Sequence, residues 1–102
     1  MIVAQFFEFD PAKAAANERK HGVTFPEAMT TFADSHGLDL HDPDHSDAED
    51  RFIHLGLSAT GTLLTTAYTE HLKGADSFVR IINARRATRT ETTAYVNSRG
   101  TP

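Results

Sequence analysis

The chain has 102 residues, 39% of them hydrophobic and 24% charged, and a formal net charge of −4. That length and balance describe one soluble domain with a single core, and they exclude a disordered chain, a second domain and a surface that binds nucleic acid everywhere by charge alone. Cysteine is absent, no apolar run approaches the ~20 residues of a membrane span, and Glu8 follows Met1 too soon for a signal peptide, so disulfides and thiolate chemistry are excluded and the cytoplasm is the expected compartment.

Residues 3–9, from Val3 to Phe9, read as a first strand. Asp10-Pro11 then supplies a helix cap followed by proline at the first helical position, and the helix over residues 12–21 should stop at Gly22 in the left-handed conformation. Asn17, Lys20 and His21 lie at i, i+3 and i+4, so they share one face of its last turns. Thr24-Phe25-Pro26-Glu27 spells a second helix start, with Phe25, Ala28, Met29 and Phe32 as the core-facing stripe.

A short alternating strand is expected over residues 37–41, then a turn-rich loop from Asp42 to Asp47. Residues 51–58 alternate with Ile53, Leu55 and Leu57 on the side expected to be buried. Thr60-Gly61 turns the chain into a strand over 63–69, and a loop around Lys73-Gly74-Ala75-Asp76 leads to a β-branched strand, Phe78 to Ile82. Thr88-x-x-Glu91 opens a last helix, roughly Arg89 to Asn97. The order is β-α-α-β-β-β-β-α. It predicts an α+β fold: an antiparallel meander sheet with two N-terminal helices and one C-terminal helix packed on one face, a single domain over residues 1–97 and a flexible tail over 98–102.

Chemistry converges on residues 80–91. Arg80, Arg85, Arg86 and Arg89 put four of the ten basic residues into one strand-to-helix joint. A helix start offers unpaired N–H groups and a positive dipole end, so guanidinium groups there make a place for phosphate. RNA can be cut at such a site by its own 2′-hydroxyl, given a base, an acid and cations around the phosphate. Acid–base help contributes ~10²–10⁴-fold and each charge-stabilising donor ~10²–10³-fold. Arginines paired with the acidic middle of the chain are the plainer alternative.

Lys20-His21 ends the first helix with a side chain able to exchange a proton near neutrality, or simply to cap the last carbonyls. Glu91 could act as a base, although its spacing from Thr88 already accounts for it as a capping carboxylate. Tyr68 and Tyr95 could stack on bases; isolated tyrosines are more often edge-of-core residues. The group His36, His41, Asp42, Asp44, His45 and Asp47 fits no definite metal pattern, and such loop aspartates usually satisfy backbone N–H groups, so no metal or other cofactor is expected.

These pieces together resemble the BrnT family of bacterial toxins from type II toxin–antitoxin systems. The matching stretches are Phe7-Glu8-Phe9-Asp10-Pro11-x-Lys13 and Asn17-x-x-Lys20-His21-Gly22-Val23-x-Phe25-x-Glu27-Ala28. They continue through Asp42-Pro43-Asp44-His45-Ser46, Arg51-Phe52-Ile53-x-x-Gly56 and Arg80-Ile81-Ile82-Asn83-Ala84-Arg85-Arg86-Ala87-Thr88-Arg89-x-Glu91. Phe9 stands where the family usually has tryptophan, His71 where it has arginine, and Thr92-Thr93 where it tends to be basic.

The resemblance implies a RelE-like fold and a ribonuclease that inhibits translation, and with arginines in place of any metal pattern the expected activity is that of a metal-independent endoribonuclease. A BrnA-like ribbon-helix-helix antitoxin would neutralise it, the pair reaching operon DNA only through the antitoxin. It points to Lys20, His21, Arg51, Arg85 and Glu91 as catalytic positions. Arg80, Arg86, Arg89, Tyr68 and His71 are the further candidates for RNA contact. The alternative is a catalytically weak or inactive module that binds its partner and represses the operon.

Overall fold

The computed structural model describes residues 4–45 and 49–99. Strand β1 (Ala4–Glu8) leads into helix α1 (Pro11–His21). The Asp10 side chain accepts the Ala12 amide at 2.8 Å, and Gly22 closes α1 at a φ of 69°, a conformation that costs other residues a clash with their own Cβ. Helix α2 (Phe25–Thr30) starts on Thr24, whose hydroxyl accepts the Glu27 amide, and tightens into a 3₁₀ turn over Thr31–Ala33. Four strands follow, β2 (Leu38–His41), β3 (Arg51–Leu57), β4 (Leu63–Lys73) and β5 (Asp76–Arg86), and then helix α3 (Arg89–Arg99).

The sheet order is β1-β5-β4-β3-β2. Strands β2 to β5 form the expected antiparallel meander, but β1 adds to β5 in parallel, with Phe6 opposite Phe78. The sheet is therefore mixed, which corrects the all-antiparallel expectation. The two helices after β1 carry the chain back across the sheet, so β1 meets the last strand running the same way. Gly74, at a φ of 63°, and Ala75 make a tight turn where a loop was expected, so β4 and β5 run on to Lys73 and from Asp76. At its other end β5 continues through Arg86, and α3 continues through Arg99.

Helices lie on both faces, which corrects the one-face expectation. Leu64 packs with Val23, Ala28 and Ala84 under α2, whereas its neighbour Thr65 points the other way and donates its hydroxyl to Glu91 of α3. A second cluster on the α2 side joins Phe25, Tyr68, Val79 and Ile81, with Phe7, Phe9, Phe32 and Phe52 against it. Because both faces are covered, β3 buries His54 and Gly56 as well as Leu55, while Leu57 stays exposed.

The edge of β5 beyond β1 is closed by a side chain. Register pairs β1 with Asp76 to Arg80 only. Past that point the Asn17 carboxamide of α1 accepts the Ala84 amide at 3.0 Å and donates to the Ala84 carbonyl at 2.8 Å, as a strand residue would. It also donates to the Val23 carbonyl at 3.0 Å, so all of its bonds tie α1 down. Replacing Asn17 by alanine strands three buried backbone groups and should cost about 1–3 kcal/mol in urea unfolding, with Leu no better than Ala.

His54 is 3% exposed, stacked on Phe32 at 4.1 Å and slotted between Gly37 and Gly56, where a Cβ would meet its ring at 2.7–2.8 Å. Nδ1 donates to Asp39 and Nε2 to the Thr31 carbonyl, both at 2.9 Å, and the Tyr68 hydroxyl donates to the same Asp39 oxygen at 2.7 Å. Burial works against the imidazolium, but two acceptors and the charges of Asp39 and Asp34 raise its pKa overall. Asp39 is lowered, its burial outweighed by His54 and Tyr68. The pair's stabilisation is therefore full between the unfolded values of about 3.9 and 6.5. It is lost on the alkaline side as pH rises through the raised His54 value, and on the acid side as pH falls through the lowered Asp39 value. Urea midpoints measured from pH 6 to 9 should fall, and Asp39→Asn should lower the plateau and begin the fall at lower pH.

Candidate functional site: a cationic groove at the edge of β5

Lys13, Lys20 and His21 project from the α1 face that Asn17 holds against β5, at spacings that stack them along successive turns. Across from them stand Asn83 and Arg85 of β5, and a groove of about 450 Å³ lies between, with Ala16 and Ile82 as its apolar lining. Its described lining carries three fixed cations and a histidine, and no carboxylate. Such a groove matches a phosphate with its sugar in charge and size.

A bulge aims the β5 side of it. Tyr68 pairs with Ile81 and Ala67 with Asn83, so Ile82 is the extra residue. Val79 and Ile81 are buried on the α2 face, and after the bulge Ala84 takes that face. Asn83 and Arg85 consequently turn to the other side, which in-step alternation would have denied them.

The Arg85 guanidinium forks onto Glu91, Nη1 to Oε1 at 2.8 Å and Nη2 to Oε2 at 3.0 Å. Oε1 also accepts the Thr88 amide at 2.8 Å and the Thr65 hydroxyl at 3.0 Å, while Thr88 accepts the Glu91 amide, completing the capping box. Arg85 above all, aided by the Thr88 amide and the Thr65 hydroxyl and opposed by burial, pulls the Glu91 pKa down to about 2. Glu91 in turn raises the pKa of Arg85. A carboxylate so acidic and so fully donated to is a poor proton acceptor, so the capping and arginine-holding role fits it best.

Of the positions expected from sequence, the structure brings together Lys20, His21, Arg85 and, behind Arg85, Glu91. It does not bring in Arg51. That residue pairs with Thr69, whose other neighbour is Arg80, itself beside Glu8 with 3.9 Å between charged atoms. This row lies roughly 15 Å along the strands from Arg85. Arg86 is exposed on the opposite face from Arg85, because the strand runs through both where a joint was expected. Arg89 is exposed on the first turn of α3. Tyr68 is 6% exposed with its hydroxyl on Asp39, so its ring is core and not a stacking surface. His71 is exposed but stacks on Phe78 at 5.1 Å, far down β5 from the groove.

Among the described residues no three His, Cys, Asp or Glu side chains gather as a metal-ligand group, and residues 46–48 of the acidic loop lie outside them. No helix of the chain is long and apolar enough to cross a membrane. Asn17, Asn83, Thr65 and the buried His54 were not singled out from sequence as site or core residues. For Asn17 the signal was present in its shared face with Lys20 and His21.

Fold and groove together define a small α+β domain with a phosphate-sized cationic cleft where β1 no longer covers the edge of β5. The chain belongs to the family described as ribonuclease toxin, BrnT, of type II toxin–antitoxin system, which matches residues 9–91. The crystal structure of the Brucella abortus ribonuclease toxin BrnT superposes with a TM-score of 0.55 at 18% identity, covering 85% of this chain and 100% of that one, and shares the fold. No curated protein matches the sequence.

Glu91→Gln keeps the shape of the cap and removes its charge. It should lower unfolding stability by about 1 kcal/mol, discounted for the partial exposure of Arg85. The lowered Glu91 pKa stabilises the fold above the unfolded value of about 4.3 and loses that stabilisation as pH falls toward 2. Acid titrations followed by circular dichroism should show that component missing in the variant.

Proposed function

We propose that this chain is a metal-independent endoribonuclease toxin whose active site is the groove between α1 and β5. The observation that carries the reading is the convergence of Lys20 and His21 with Arg85 across one phosphate-sized cleft. An RNA 2′-oxygen attacks the adjacent phosphorus, giving up its proton, and the bond to the 5′-oxygen breaks as that oxygen takes a proton. Lys20 and Arg85 neutralise the non-bridging oxygens as charge builds on them. His21 is the group placed to exchange protons, since Glu91 is tied to Arg85. The products are a 2′,3′-cyclic phosphate and a 5′-hydroxyl.

Membership of a type II toxin family supports an antitoxin partner. A BrnA-like ribbon-helix-helix protein is the one we infer, with DNA reached only through it. One observation favours a second reading, a weakly active module kept for complex formation: the Arg85 fork is already engaged by Glu91. Growth arrest when the chain is expressed without its antitoxin separates the two.

Purified protein should cleave RNA equally well in EDTA. Arg85→Ala should lower kcat/KM by ~10²–10³-fold and His21→Ala by ~10²–10⁴-fold, with product ends read by mass spectrometry. Undiminished cleavage by the double variant would remove this site from the reaction.

A further inference from the structure

We propose that the groove also contains a nucleobase subsite, in which Asn83 reads the hydrogen-bonding edge of an RNA base beside the phosphate held by Arg85 and Lys20. The inference rests on the reading of the groove as an RNA site and adds its specificity element. The bulge at Ile82 sends Asn83 and Arg85 to the same side, two residues and roughly 6–7 Å apart along β5. That spacing suits a base and its own phosphate.

Asn83 is half-buried in the groove wall, and its carboxamide has no hydrogen-bond partner among the described residues. Asn17, the other carboxamide lining the cleft, spends every bond on the backbone. Ile82 and Ala16 supply apolar surface against which a base plane can rest, and Lys13 stands at the α1 side for a neighbouring phosphate. A side chain that could have been paired internally is instead left open toward the cleft.

A carboxamide presents a donor and an acceptor side by side. Adenine offers the complementary pair on two edges, N6 with N1 and N6 with N7, and the bidentate contact to N6 and N7 is the pairing that base-edge geometry favours for asparagine. Adenine is therefore the favoured occupant. An aspartate at the same place presents acceptors only, which complement the two adjacent donors of guanine, N1–H and the N2 amino group.

The test uses the whole protein and 2′-O-methyl tetranucleotides of each base, which bind but cannot be cut through the 2′-oxygen. The wild type should bind the adenine tetramer tightest. Asn83→Ala should weaken that binding roughly tenfold and level the four affinities. Asn83→Asp should move the preference to guanine. The side chain makes no bond within the described fold, so both variants should keep the wild-type thermal midpoint.

The same order of affinities in all three proteins overturns the subsite. Arg85→Ala is the separate control: it should weaken all four tetramers alike. If it does and the Asn83 variants change nothing, the RNA reading stands and the subsite falls. If the wild type binds no tetramer, both fall together.

Discussion

One carboxamide determines where this fold can hold a cleft. β1 pairs with β5 for five residues and then the chain leaves the sheet, so the far half of β5 would present bare amides and carbonyls at an edge. Asn17 takes the vacant place in the ladder from a helix instead of a strand. A helix at the sheet edge carries its side chains at a different pitch from a strand, and the mismatch opens a cleft where a continued strand would have closed the edge. Lys20 and His21 share that cleft with Arg85 because they sit on the turns next to that carboxamide.

The second determinant is the two-sidedness of β5. Four arginines within ten residues read as one cluster, yet a strand sends neighbours to opposite faces and spaces them along its length. Arg85 faces α3 and the groove, Arg86 the other side, and Arg80 joins a row with Glu8 and Arg51 well away. What remains in the groove is one guanidinium, held in orientation by Glu91, plus the lysines of α1. A fixed fork presents charge with less loss of side-chain freedom than a floppy cluster would, at the cost of sharing that charge with a carboxylate.

Helix ends and hairpins were legible in the chain because their causes are local. Asp10-Pro11 with Gly22, Thr24 with Glu27, Thr60-Gly61 and Thr88 with Glu91 each act within a few residues. The parallel pairing of β1 with β5 was not legible, since nothing near Phe6 identifies Phe78 as its partner. Nor was the burial of His54, for β3 reads as a half-exposed strand until both faces acquire helices. The bulge at Ile82 left its mark only as a slip in alternation, visible once Val79, Ile81 and Ala84 are known to share a face. The candidate site inherited these gaps: Lys20, His21 and Arg85 do line one groove, while Arg51, Arg86 and Tyr68 lie elsewhere, because sequence proximity and composition do not report which way a strand faces.

The parallel seam between the first and last strands also bears on synthesis. As the polypeptide leaves the ribosome, β2 to β4 can hairpin as they emerge, but β1 has no neighbour until residues 76–80 follow, and Asn17 has none until Ala84 does. The cleft thus has no second wall until residues 82–85 have followed. Neither wall of the groove is a cleft by itself, so a nascent chain that carries α1 but not yet β5 holds its cations with nothing opposite them.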